Sequence, residues 1–197
     1  MSEHMALENL TVLDLTRVLA GPFCTMMLAD MGANVIKIEV PKGGDDTRGY
    51  PPFRAKNLNG ERESVYFANI NRNKKGITLN LKAPEGKEIF KELVKKADIV
   101  VENYRPGVMD KLGLGYDVLK EINPRIIYAA VSGFGCYGPY HLRPGYDILA
   151  QAMGGMMSIT GSKGGEPTRA GSALGDILGG LHVTIGILAA VNARTIT

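Results

Sequence analysis

One carboxylate stands among small residues in the stretch Gly171-Ser172-Ala173-Leu174-Gly175-Asp176-Ile177-Leu178-Gly179-Gly180, which leads into an apolar run ending at Val191. A helix that starts here points unpaired backbone N–H groups and the positive end of its dipole at its first turn. Both favour an ionised Asp176, and the glycines leave room for a bulky group to approach it. An ionised carboxylate beside open space can attack an activated carbonyl. The same stretch also suits a capped helix whose glycines, Gly175 and Gly179, form a close packing face. On these residues alone that structural reading is the stronger, so the rest of the chain decides.

The other chemistry-bearing groups fall in three clusters: Arg17, then Asn103-Tyr104-Arg105, then Ser132-Gly133-Phe134. Each follows a β-rich apolar stretch that reads as a strand, at 10–15, 98–104 and 125–131. Further strands are expected at 34–40 and 75–81. Helices are expected from Gly21-Pro22 to near Gly32, at 85–95, 108–112 and 116–122, from Gly145 to about Met157, and at 177–191. Residues 41–63 read as a polar loop, and periodicity leaves 64–71 open between helix and strand. This alternation predicts an α/β fold: a doubly wound, Rossmann-like, mostly parallel sheet with flanking helices. Ligands in such folds bind beyond the carboxyl ends of the strands, where the three clusters gather. The turn Thr16-Arg17-Val18-Leu19-Ala20-Gly21-Pro22 carries neither the G-x-G-x-x-G fingerprint nor the lysine of a P-loop, which argues against nucleotide binding by either route.

Composition narrows the classes further. The net charge of +3 is too small to point to nucleic acid. Cys24 and Cys136 have no metal-ligand spacing and are too few for a disulfide framework. The longest apolar run reads as too short to span a membrane, and the polar start Ser2-Glu3-His4 does not read as a signal peptide. A cytoplasmic protein that binds neither nucleic acid nor membrane is the expectation.

Taken together, Val12-Leu13-Asp14-Leu15-Thr16, Ala20-Gly21-Pro22, Leu28-Ala29-Asp30-Met31-Gly32-Ala33, Val35-Ile36-Lys37-Ile38-Glu39, Gly44-Asp45 with Arg48, Asn73-Lys74-Lys75, Leu79-Asn80-Leu81-Lys82, the run from Ala97 through Glu102-Asn103-Tyr104-Arg105-Pro106-Gly107, Tyr146-Asp147 with Gln151, and Leu174-Gly175-Asp176 with Gly180 resemble the class III (family III) CoA-transferases. The resemblance implies that Asp176 is a nucleophile that forms an anhydride and then a thioester with CoA. It implies CoA contacts at Val18, Leu19, Ala20, Leu79, Asn80, Leu81, Lys82, Asn103, Tyr104, Arg105, Lys111, Ser132, Gly133, Phe134 and Gly135. It further implies an acyl-CoA donor, a carboxylic acid acceptor, no metal and no cofactor beyond CoA as co-substrate, and an interlocked homodimer. By the same resemblance residues 1–197 are expected to be the N-terminal part of the family's large domain, with the small domain and a return segment following in longer members. By themselves these residues are expected to bind CoA weakly, to turn nothing over and to associate. Leu19 stands where formyl-CoA transferases have glutamine. Tyr146 stands where the related 2-methylacyl-CoA racemases have histidine, and a phenol with an ordinary pKa near 10 is a poor base at neutral pH. Racemase chemistry and a non-catalytic CoA-binding subunit are the alternatives.

Overall fold

A computed structural model describes residues 4–54, 60 and 62–196. The elements run β1 (Thr11–Asp14), α1 (Ala20–Asp30), β2 (Asn34–Glu39), β3 (Phe53–Arg54), β4 (Glu63–Ser64), α2 (Val65–Ile70), β5 (Lys75–Thr78), α3 (Pro84–Val94), β6 (Ile99–Glu102), α4 (Val108–Leu112), α5 (Tyr116–Ile122), β7 (Ile127–Ala130), α6 (Asp147–Met153) and α7 (Leu174–Arg194). Five strands form one parallel sheet in the order β5-β2-β1-β6-β7. The chain winds outward through β2 and β5, returns to the middle, and winds the other way through β6 and β7. The reversal falls between β1 and β6.

The central strands are apolar on both faces because helices cover both. Leu13, Leu15 and Val100 pack with Phe90, Val94 and Leu119 on one side. Val12, Ile99 and Val101 pack with Cys24, Leu28 and Ile187 on the other. Neighbouring strand residues thus alternate between two cores, as the pleat demands.

Most elements lie where the sequence places them, with shorter strands. The differences have local causes. The expected loop 41–63 holds a 3₁₀ turn at Asp46–Gly49, capped by the Asp45 carboxylate accepting from the Thr47 amide, and the short antiparallel pair β3–β4. Residues 55–59 and 61 of that loop lie outside the described residues. The undecided stretch 64–71 is helix α2, capped by Ser64 Oγ accepting from the Phe67 amide at 3.2 Å. Helix α6 stops at Met153, short of the expected Met157, where Gly155 turns the chain at φ +81°.

Helix α7 is longer than expected, and its 21 residues are long and apolar enough to cross a membrane by length and composition, contrary to the sequence reading. Packing accounts for part of that apolarity. A Cβ on Gly180 would lie 2.5 Å from the carbonyl oxygen of Ala20 on α1, and Thr184 and Ile187 are buried. Leu178 and Ile185 stay exposed. Between β7 and α6, a Cβ on Gly133 would lie 2.2 Å from the Gly145 Cα, so two backbones touch there.

Candidate active site

The carboxyl ends of β1, β6 and β7 open into a cleft of about 600 Å³ at the point where the winding reverses. Its wall includes Leu19 and Ala20 at the start of α1, Asn103 to Arg105 after β6, Ser132 and Gly133 after β7, and Arg143 to Tyr146 before α6. Asp176 and Gly179 of α7 close it from the side.

The floor is the β1–α1 turn, which is held almost entirely by side chains. The Thr16 amide donates to Asp14 Oδ1 at 2.8 Å, and the Thr16 carbonyl accepts from Lys37 Nζ at 2.8 Å. The Arg17 amide donates to Asn103 Oδ1 at 2.9 Å, while Asn103 Nδ2 donates to the Arg17 carbonyl at 2.7 Å. The Val18 amide donates to Asp45 Oδ1 at 3.2 Å. Val18 itself sits at φ +70°. A β-branched residue there is strained by about 1–3 kcal/mol, a strain that persists only where the surroundings over-determine the backbone.

Two buried ion pairs supply that determination. Lys37 Nζ lies 2.9 Å from Asp45 Oδ2, with side chains 2% and 0% exposed, and Lys74 Nζ lies 3.1 Å from Asp14 Oδ2, with side chains 1% and 0% exposed. Burial pushes the Asp14 carboxyl up, but the Lys74 and Lys37 ammoniums and the hydroxyls of Thr16 and Thr25 outweigh it and hold the group below its ordinary value. Asp45 is likewise lowered: burial is overcome by Lys37 and by bonds from Thr47.

The structure separates the two roles that the sequence leaves open for Asp176. The first turn of α7 is tied by Asp147, whose Oδ1 accepts from the Gly175 amide at 2.8 Å. Among the described residues the Asp176 carboxylate makes no hydrogen bond, so it is not spent as a cap. Burial first, and the Asp147 charge second, push Asp176 up to about 6. Burial thus opposes the ionising pull expected of the helix start, and the group stays mostly ionised at neutral pH. The flanking glycines also differ. A Cβ on Gly175 would lie 2.9 Å from Ala150 Cβ on α6, a packing contact, whereas one on Gly179 would meet nothing within 4 Å. Gly179 is therefore the residue that leaves room.

Of the residues carried by the resemblance, Val18, Leu19, Ala20, Asn103, Tyr104, Arg105, Ser132, Gly133 and Asp176 line this one cleft. Ser132 Oγ is buried and finds no hydrogen-bond partner among the described residues. The others lie off the lining. Leu79 and Leu81 pack around the Phe90 core, and Asn80 Oδ1 closes a turn by accepting from the Lys82 amide. Lys111 sits on α4. Phe134 packs edge-on to Tyr140, with ring centres 5.8 Å apart, and Gly135 makes a turn at φ +79°.

Several residues acquire a place that sequence reasoning did not give them. Buried Gln151 donates from Nε2 to Asp147 Oδ2 at 2.8 Å and accepts at Oε1 from the Ala170 amide at 2.8 Å, fixing the approach to α7. The i, i+4 spacing of Asp147 and Gln151 is the one local signal for it. Tyr50 and Arg143 line the cleft. Tyr66 packs edge-on to Tyr50, its ring centre 5.8 Å away, and its phenol is pushed up by burial and then by the Asp176 charge. Nothing in the residues around Tyr50 and Tyr66 marks them, because the contacts come from distant segments.

Comparison with known proteins gives this cleft a family. The chain is 50% identical over 188 residues to the acetyl-CoA:oxalate CoA-transferase of Acetobacter aceti, covering 95% of this chain and 47% of that one. It is 48% identical over 190 residues to the human succinyl-CoA:glutarate CoA-transferase, covering 96% and 42%. The chain thus spans less than half the length of these curated relatives. The crystal structure of a CAIB/BAIF family protein from Brucella suis superposes with a TM-score of 0.93 at 45% identity, covering 98% of this chain and 50% of that one. The family profile described as CoA-transferase family III matches residues 7–197, and to that family the chain belongs.

Proposed function

We propose that the protein moves coenzyme A from an acyl-CoA thioester to a carboxylic acid, with Asp176 as the covalent nucleophile. The observation that carries this reading is that Asp147, not Asp176, ties the start of α7, which leaves the Asp176 carboxylate unbonded among the described residues and beside the open space at Gly179.

Asp176 attacks the acyl-CoA carbonyl, the C–S bond breaks, and CoA leaves as a thiolate from a mixed anhydride. The thiolate then attacks the aspartyl carbonyl, giving an aspartyl thioester and releasing the first acid. The acceptor carboxylate attacks that thioester and frees the thiolate again, which takes the new acyl group from Asp176. Each exchange conserves charge and needs no proton donor. The enzyme's share is positioning, which can supply about 7–11 kcal/mol, and stabilisation of anionic intermediates by the positive start of α1. Arg17, Arg105 and Arg143 in the cleft suit the phosphates and carboxylates of these substrates. The acceptors named for the two relatives above, oxalate and glutarate, make dicarboxylic acids the first acceptors to test. CoA is a substrate in this reading, the assembly is a homodimer, and the location is cytoplasmic, which suits the free thiols of Cys24 and Cys136.

Asp147 is engaged by Gly175 and Gln151, which disfavours a proton-exchange role for it and with it the racemase reading. The test uses the full-length protein: CoA exchange between acyl-CoA donors and a panel of dicarboxylic acids, with hydroxylamine trapping of the enzyme-bound acyl group. Asp176→Ala is expected to abolish both exchange and trapping. Substantial exchange by Asp176→Ala, or rapid α-deuterium uptake from deuterated water into a chiral 2-methylacyl-CoA, refutes the reading.

A further inference from the structure

From the Thr16 amide to the Val18 amide, each backbone polar group of the β1–α1 turn bonds to a side chain, and Val18 is held left-handed. Two of those bonds come from Lys37 and Asp45, which do not line the cleft and are almost wholly buried. Their pair is braced from behind: the Asp45 amide donates to Glu39 Oε2 at 2.7 Å, and Arg48 grips both oxygens of Glu39 at 2.8 and 2.6 Å. We propose that the buried Lys37–Asp45 pair is a positioning device for the acyl-CoA site, holding the Thr16 carbonyl and the Val18 amide so that Val18 stays left-handed and Leu19 and Ala20 enter the cleft beside Asp176. Released from these bonds, Val18 relaxes towards negative φ, the following peptide turns, and the backbone at Leu19 and Ala20 leaves its place.

The activity readout rests on the CoA-transferase reading; the structural readout does not. In the full-length protein, Asp45→Ala and Lys37→Met are each made with Val18 intact and again together with Val18→Gly. Glycine stands at φ +70° without help, so only a positioning role is rescued by it. With Val18 intact, kcat/KM for acyl-CoA is expected to fall ~10-fold or more, as small misplacements near a reacting centre do. In the Val18→Gly background the further loss is expected to shrink below ~3-fold. Amide hydrogen exchange across residues 17–21 is expected to speed up in the same variants and to do so whether or not turnover is measured. Variants that keep kcat/KM within about twofold, or that lose the same factor in both backgrounds, overturn the proposal. Should either single variant fail to fold, Lys37→Met/Asp45→Ala, which removes the two charges together and leaves neither unpaired, carries the same comparison. A wild-type protein without transfer activity refutes the functional reading alone. Unchanged exchange at 17–21 in the clamp variants then refutes the clamp.

Discussion

Asp176 meets two opposed demands, and they can be measured separately. Its carboxyl ordinarily titrates near 3.8 and here near 6, so between these values the native protein holds a proton that the unfolded chain has lost. The carboxyl therefore destabilises the fold increasingly as pH rises from about 4 through 6, and fully above that. Asp176→Asn is expected to stabilise the protein at pH 8 by about 1 kcal/mol, after discounting for partial solvent exposure. That is about 2–4 °C in thermal melts, and the gain should vanish below pH 4. The nucleophile must be ionised, so kcat/KM should fall on the acid side with an apparent pKa near 6. Asp147→Asn keeps an oxygen for the Gly175 amide but removes the second cause of the shift, and should move that acid limb to lower pH. Asp176 was legible in the sequence as a carboxylate among glycines. The reason it is available was not, because the carboxylate that ties α7 in its stead belongs to Asp147, 28 residues before the Gly175 amide it holds, and helix-capping signals are read from local spacing.

At the scale of elements, adjacent glycines on α7 separate packing from access. Gly180 is pressed against the Ala20 carbonyl and the Phe23 ring, whereas Gly179 faces the cleft with open space. Gly180→Ala should drive α7 off α1, lowering stability by about 1–3 kcal/mol and activity with it. Gly179→Ala should raise stability by up to about 1 kcal/mol through helix propensity, while the KM for acyl-CoA rises. Melts and steady-state kinetics of the two variants check both statements. Elements with strong periodicity or clear punctuation were readable: α4 and α5 fall at the expected 108–112 and 116–122, and Pro84 opens α3. The 3₁₀ turn and the β3–β4 pair were not, since two-residue strands carry no periodicity and the turn is fixed by Asp45 in its contact with Lys37. The residues 79–82 show the opposite case: a sequence match names a segment without telling which of its side chains turn inward.

The whole molecule follows from one reversal in winding order, which brings the ends of β1, β6 and β7 to the same cleft and sets α1 and α7 side by side against it. That much was visible as alternating strands and helices with polar clusters after the strands. What could not be read was how much apolar surface stays uncovered. Leu178 and Ile185 are exposed on α7, and Ile77 on the edge strand β5. The 197-residue chain is therefore expected to self-associate and to bind ANS. Ile185→Lys should reduce both in size-exclusion and fluorescence measurements, and a chain that elutes as a clean monomer with no dye binding would contradict this.

The contact between Gly133 and Gly145 has a consequence for how this cleft tolerates change. Because the two backbones meet at that neck, residues 134–144 form a loop closed at its base, carrying exposed Tyr137 and Leu142 at its surface. Closure by the neck uncouples the loop's length from the positions of Ser132 and Tyr146, and lengthening a closed loop costs little conformational entropy. Residues 136–142 are thus open to exchange so long as both glycines and the cleft-lining Arg143 and Pro144 are kept, and Gly145→Ala, which forces the neck apart, should harm the cleft more than replacing that stretch.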